Sequence, residues 1–291
     1  MRTIKHILFP VDFSEQCRAM RPFVKSMAKR FGADITLINV LQIPMGFSSG
    51  FDVAYPISLD LDAMRSDAEE QLAAFFEVPY HPEPEGIYFV TDIGEAARTI
   101  VGYAEEHQID LIMAPTHGRG GFRGLLLGST TAKILHDAKC PVLTTAHVDD
   151  PNLQEHAQCK TILCASDFSD ADESLIQNSA DFADAMGAKL TVVHAVPGAQ
   201  TPMNVVPDYD FQHFLLQAAR EQGAELQHKA GTTVEMCIAG GEVSKVVRAS
   251  AIEFNADLVI IGRGKLHSTF GRLRTQAYSI IRDSPCPVLS L

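Results

Sequence analysis

The feature that most constrains this chain is that it states one pattern twice. Phe9-Pro10-Val11-Asp12-Phe13-Ser14 is answered by Cys164-Ala165-Ser166-Asp167-Phe168-Ser169, and Asp12 and Asp167 stand 155 positions apart. Gly32-Ala33 and Gly187-Ala188 keep that spacing. Gly94-Glu95 and Gly241-Glu242 are 147 apart, as are Asp110-Leu111-Ile112 and Asp257-Leu258-Val259. Cys140-Pro141-Val142 meets Cys286-Pro287-Val288 at 146. Five anchors in one order, with small drifts, mean a duplicated folding unit. The 291 residues then divide into copies of about 140, each long enough to bury its own core. We place a first domain at 1–146, a linker at 147–159 and a second domain at 160–291, because Asp149-Asp150-Pro151-Asn152 interrupts the apolar pattern between the copies.

Within each copy, short apolar runs alternate with amphipathic stretches. The first copy predicts strands at His6–Val11, Asp34–Val40, Gly86–Val90, Leu111–Ala114 and Val142–Thr145. Its helices are expected at Glu15–Phe31, Leu59–Glu77, Ala96–His107 and Thr130–Asp137. In the second copy the strands are Thr161–Ala165, Leu190–Ala195, Val234–Ile238, Leu258–Ile261 and Val288–Leu291. The helices there are Leu175–Met186, Tyr209–Lys229, Val243–Phe254 and Gln276–Asp283. Strands that are apolar on both faces suit a parallel sheet covered by helices, and the alternation gives right-handed βαβ units. The expected fold is therefore α/β: two tandem doubly wound domains, each a five-stranded parallel sheet with helices on both faces. Gln42–Ser58, rich in Gly, Pro and Ser, is either a flap over a site or a loose connection, and Pro197–Asp208 is its shorter counterpart.

A formal charge of −12 argues against nucleic acid or an anionic membrane as partner. No apolar run reaches the roughly 20 residues of a membrane span. Met1–Pro10 sets basic residues before an apolar stretch, but the stretch is short and runs into Val11-Asp12, so it reads as a first strand and a cytoplasmic location is expected. Six cysteines without a CxxC pair are no disulfide framework, and Cys140 and Cys286 read as buried thiols. His136 and Cys140 have metal-like i, i+4 spacing. Arg282 stands opposite His136 in the second copy and no third ligand is near, so no metal site is expected.

In an open parallel sheet, ligands bind beyond the carboxyl ends of the strands. Asp12 follows the first strand and Val40 closes the second. The loop Thr116-His117-Gly118-Arg119-Gly120-Gly121-Phe122-Arg123-Gly124 follows the fourth and leads to Gly128-Ser129-Thr130-Thr131 at a helix start. Glycines let backbone N–H groups approach an anion, and a helix N-terminus adds unpaired donors and about half a positive charge. Ser129 or Thr130 would cap the helix, bond a phosphate, or do both. Asp12 would hold a ribose or cap its own turn. Neither GxxxxGK[ST] nor GxGxxG is present.

The spacing of Gly118, nine residues, then Gly128-Ser129 resembles the universal stress protein family, as do the Pro-Val-Asp-Phe-Ser end of the first strand and the closing Cys-Pro-Val. The resemblance covers nearly the whole chain, as two tandem copies. It implies an adenine nucleotide α-hydrolase-like fold that binds ATP or a related adenine nucleotide, with Mg, through the signature G-x2-G-x9-G-[S/T]. Gly118, Gly128 and Ser129 match the second glycine, third glycine and hydroxyl, and Thr130 follows as a further phosphate contact. Asp12 matches the acidic residue that approaches the nucleoside, and Val40 the residue whose backbone meets the adenine. Pro115 stands where the first glycine belongs, with no N–H and a fixed φ. In the second copy Arg274-Thr275 replaces Gly128-Ser129, so conventional ATP binding is not expected there. Gly262–Thr275 carries Arg263, Lys265, Arg272 and Arg274 and no acid. It reads either as an anion-attracting loop or as a solvated or partner-facing surface.

Three functions stay open at this point. The first is a stress-response or regulatory protein whose first copy binds adenine nucleotide. The second is a ligand-free scaffold. The third is a slow ATP hydrolase, for which His117 and Asp12 are the candidates to orient water. No catalytic residue is assigned. The resemblance also implies pairing of the copies through their last strands, Val142–Thr145 and Val288–Leu291, whose apolar, edge-like character invites a partner. A homodimer and unnamed regulatory proteins complete the expected partners.

Overall fold

The computed structural model describes residues 3–42, 60–82, 84–117, 127–150, 153–169, 172–199, 208–263 and 272–291, with the side chains of 272–275 excepted. The first half runs β1 (His6–Pro10), α1 (Glu15–Phe31), β2 (Asp34–Leu41), α2 (Leu61–Phe76), β3 (Ile87–Ile93), α3 (Ala96–Glu106), β4 (Leu111–Pro115), α4 (Ser129–Asp137) and β5 (Val142–Thr145). The second runs β6 (Thr161–Ala165), α5 (Asp172–Met186), β7 (Lys189–Val196), α6 (Tyr209–Ala230), β8 (Glu235–Gly240), α7 (Val243–Glu253), β9 (Leu258–Ile261), α8 (Arg272–Asp283) and β10 (Val288–Ser290).

Local chemistry sets these bounds. Ser14 caps α1 by accepting the Cys17 N–H, and Gly32 ends it in the left-handed conformation at φ 64°. Asp60 and Asp208 cap α2 and α6 in the same way, accepting from Ala63 and Phe211. Along β1, Ile7 and Phe9 enter one core while Leu8 enters the other, as the two-residue period of a strand requires. The first core lies under α1, α2, α5 and α6, and the second under α3, α4, α7 and α8.

The two sheets are one sheet. Its order is β3-β2-β1-β4-β5-β10-β9-β6-β7-β8. Pairing is parallel inside each half, and β5 meets β10 antiparallel through Val288↔Thr144, Leu289↔Leu143 and Ser290↔Val142. The last strands are therefore covered by each other within the chain. Arg30 donates to the Met186 carbonyl at 2.6 Å, and the rings of Phe31 and Phe182 lie 6.0 Å apart, so α1 and α5 also meet across the join. Between the halves, Val148, Leu153 and Ala157 are buried in the first core, and Glu155–Gln158 forms a short 3-10 helix. All six cysteines are free. Burial pushes the Cys286 thiol up to about 12, whereas Cys140, read from sequence as buried, is only half-buried.

Candidate functional site

In each half the central strand, β1 or β6, hands the chain to a helix on one face while β4 or β9 hands it to the other. A crevice opens at that reversal. Both turns after the central strand are built alike. Asp12 Oδ1 accepts the Ser14 N–H and Asp167 Oδ1 the Ser169 N–H, each at 2.9 Å. These closures hold Phe13 at φ 61° and Phe168 at φ 59°, a left-handed conformation that bulky residues rarely adopt. One oxygen of Asp12 is thus spent on its own turn, and it also accepts the Cys17 thiol at 3.1 Å. Asx-turn geometry of this kind is the structural role foreseen as one of the two for Asp12.

The fourth-strand loop differs from expectation in useful ways. Pro115 is the last residue of β4, buried and paired with Thr145, and its carbonyl accepts the Thr131 hydroxyl at 3.0 Å. It belongs to the strand, not to the loop. Gly118 and the rest of the glycine-rich stretch lie outside the described residues, as do residues 43–59 of the first long loop and most of Pro197–Asp208. Gly128, read as a phosphate donor, gives its N–H to the Thr116 carbonyl at 2.8 Å. It closes the loop and leaves donation to its successors.

Ser129 and Thr130 open α4, but neither caps it. The N-cap is Gly128, which has no side chain to offer, so the capping role suggested by sequence is absent. Consequently the first-turn N–H groups of Ser129 and Thr130 have no partner among the described residues. Val40 lies near the end of β2, beside Asp92 of β3, and packs against the second core. His117 adds something new. Its Nδ1 meets the Thr116 hydroxyl at 2.9 Å, while its buried Nε2 has no hydrogen-bond partner among the described residues.

The second half diverges at matching positions. Asp172 stands 155 after Cys17 and takes its place under the turn, accepting from Ser166 Oγ at 2.6 Å, Asp167 N at 2.8 Å and Phe168 N at 3.2 Å. Burial pushes its carboxyl up to about 6, against the pull of the Ser166 hydroxyl. His194 takes the place of Asn39. Each reaches back to the central-strand end, Asn39 Nδ2 to the Val11 carbonyl at 2.7 Å and His194 Nδ1 to the Ser166 carbonyl at 2.9 Å. Burial lowers the His194 pKa, and Phe168 stacks on its ring at 4.0 Å.

Arg263, counted in sequence with the basic loop, is mostly withdrawn from solvent. Its guanidinium donates to the carbonyls of Ala138 and Cys140 in the first half, the latter at 2.6 Å. It is a clamp between the halves and is not available to an anion. The side chains of Arg272 and Arg274, and all of Lys265, lie outside the described residues. Sequence reading missed Asp172 and His194, and it placed Arg263 in the basic loop and not between the halves. The 155-residue offset, applied to every polar residue, would have exposed the first two.

This fold is that of a doubly wound α/β protein. The sequence pattern of the universal stress protein family matches residues 3–145 and again 158–291. The chain belongs to the universal stress protein family, as a tandem member. A universal stress protein of Methanocaldococcus jannaschii is 28% identical over 141 residues, spanning 48% of this chain and 80% of that one. Universal stress protein A homolog 2 of Coxiella burnetii is 30% identical over 126 residues, spanning 42% and 83%. The crystal structure of a universal stress protein from Archaeoglobus fulgidus covers 99% of this chain, and 96% of its own is covered, with TM-score 0.62 at 22% identity. That likeness extends over both halves and their join.

Proposed function

We propose that the first half binds ATP or a related adenine nucleotide and that the protein acts as a cytoplasmic stress-response or regulatory protein through that occupancy. The observation that carries this reading is the start of α4. The Ser129 and Thr130 amides lack partners among the described residues, and the positive end of the helix dipole lies with them. The orphaned His117 Nε2 on the neighbouring strand end supports a polar guest in the same place. Thr130 would add its hydroxyl, Asp12 would face the nucleoside and the Val40 backbone the base; Gly118 belongs to the same set by resemblance. Any magnesium would arrive on the phosphates, since no three His, Cys, Asp or Glu converge among the described residues. No helix among the described residues is long and apolar enough to cross a membrane.

A second reading, a ligand-free scaffold, is favoured by the internal β5–β10 join, which gives the duplication a purely architectural purpose. A further homodimer would then use other surfaces than the last strands. Mass spectrometry of small molecules released from freshly purified protein, before and after incubation with Mg-ATP and gel filtration, separates the readings. Retained adenine nucleotide is expected. None in either sample would leave the scaffold.

A further inference from the structure

The described residues of the second half enclose a cleft of ≈ 620 Å³ at the carboxyl ends of β6, β7 and β9. Small-molecule sites occupy roughly 300–1,000 Å³. Its walls are largely apolar, with Leu175, Val193, Val247 and Ile280 among them, and its polar end holds Asp167, Asp172 and His194. That end offers acceptors. His194 Nδ1 faces the Ser166 carbonyl, which cannot donate, so Nδ1 carries the proton and Nε2 keeps a lone pair with no described partner. The carboxyls of Asp167 and Asp172 meet each other through a side-chain hydrogen bond, which adds to burial in raising the Asp172 pKa, so His194 Nε2 is the acceptor left to a guest.

An anion receptor, by contrast, has been dismantled. Helices α4 and α8 end at the matching residues Asp137 and Asp283, but α8 begins at Arg272, three residues earlier by that register than Ser129. The extra turn moves Thr275 and Gln276, which correspond to Ser129 and Thr130, away from the start of the helix, where the unpaired amides of a helix lie. The cation that lines the cleft, Arg263, is committed to two carbonyls of the first half. A cationic guest is disfavoured too, because the stretch that follows β9 in sequence, 264–275, holds Lys265, Arg272 and Arg274 and no acid.

We infer that this cleft is a second ligand site, for an uncharged, mostly apolar small molecule that presents an N–H or O–H donor and carries no phosphate. Its apolar body lies against Val193, Val247 and Ile280, and its donor meets His194 Nε2. The inference does not rest on nucleotide binding in the first half.

The chain contains no tryptophan, so the fluorescence of added indole reports on the probe alone. Titration of the full chain should show saturable indole binding at one per chain. Binding of 1-methylindole, which lacks the donor, should be at least tenfold weaker. Ala277→Phe, which fills the cleft, should cost indole at least tenfold, while Gly128→Arg in the first half and added inorganic pyrophosphate should change nothing. If Ala277→Phe fails to fold by circular dichroism, His194→Phe keeps the ring stack, removes the acceptor and should cost at least fivefold. No saturable binding up to the solubility of indole, equal binding of 1-methylindole, or displacement by pyrophosphate would each overturn the inference.

Discussion

The first half starts α4 at Ser129, the place of the proposed phosphate contact, whereas the matching helix of the second half, α8, starts three residues earlier in that register. Nothing else in the two copies diverges with such consequence. The strands register alike, the Asx turns of Asp12 and Asp167 have equal bond lengths, and Phe13 and Phe168 share one unusual φ. Against that constant frame, α8 extends one turn beyond the start of α4, Asp172 replaces Cys17, His194 replaces Asn39 and Arg263 stands at the strand end opposite Thr116. On the proposed reading, duplication has separated two tasks: one copy starts α4 at amides with no partner among the described residues, and the other supplies an apolar cleft and a clamp to its sibling.

The comparison breaks most visibly at the clamp. Arg263→Met should destabilise the chain by about 2 kcal/mol, because two part-buried carbonyls lose charge-assisted bonds. Thr116→Ala, the matching change in the first half, should cost about 1 kcal/mol. Urea unfolding of both variants measures the contrast, and equal costs would deny Arg263 its special place.

The next effect is in pH. The Asp172 carboxyl is raised to about 6 in the fold, above the usual 3.9 of an unfolded chain. The folded state therefore binds this proton more tightly, and stability from this group falls as pH rises from about 4 to about 6, then stays flat. The gain at the acid end is up to about 2 kcal/mol. Burial lowers the pKa of His194 and His6, which works in the opposite direction below their ordinary value. The wild type must therefore be compared with Asp172→Asn across pH 4 to 7. Their stability difference should shift in favour of the wild type as pH falls, whereas the wild type minus Cys17→Ser difference should not.

Smaller again is the graft of second-half chemistry onto the first. Gly128→Arg puts the residue of the second copy at the N-cap of α4 and should weaken ATP about tenfold, or about 1.4 kcal/mol. Ser129→Ala removes one hydroxyl but no amide, and should weaken ATP only two- to threefold by equilibrium dialysis.

Much of this frame was legible from residues alone. Helix α1 falls on its predicted bounds because Ser14 and Gly32 mark both ends with unambiguous chemistry. The strand–helix alternation pointed to the doubly wound class, and the family resemblance implied the β5–β10 pairing that the sheet shows. Where a boundary slipped, the signal was weak. Strand β3 continues through Thr91 and Asp92 to Ile93, polar residues tolerated on an outer strand. Helix α8 starts at Arg272, where Arg-Leu-Arg-Thr carries no cap and the expectation had followed the first copy to Gln276. The site was legible in its residues but not in its bonds. That Gly128 spends its amide on Thr116, or that Arg263 finds the Ala138 and Cys140 carbonyls, depends on backbone groups that look the same in every sequence.

Calorimetric titration of the intact chain with Mg-ATP goes most directly to the division of labour between the copies. One equivalent per chain, weakened about tenfold by Gly128→Arg and untouched by Ala277→Phe, is the predicted result. Two equivalents, or one that keeps its affinity in Gly128→Arg and disappears with Ala277→Phe, would contradict it.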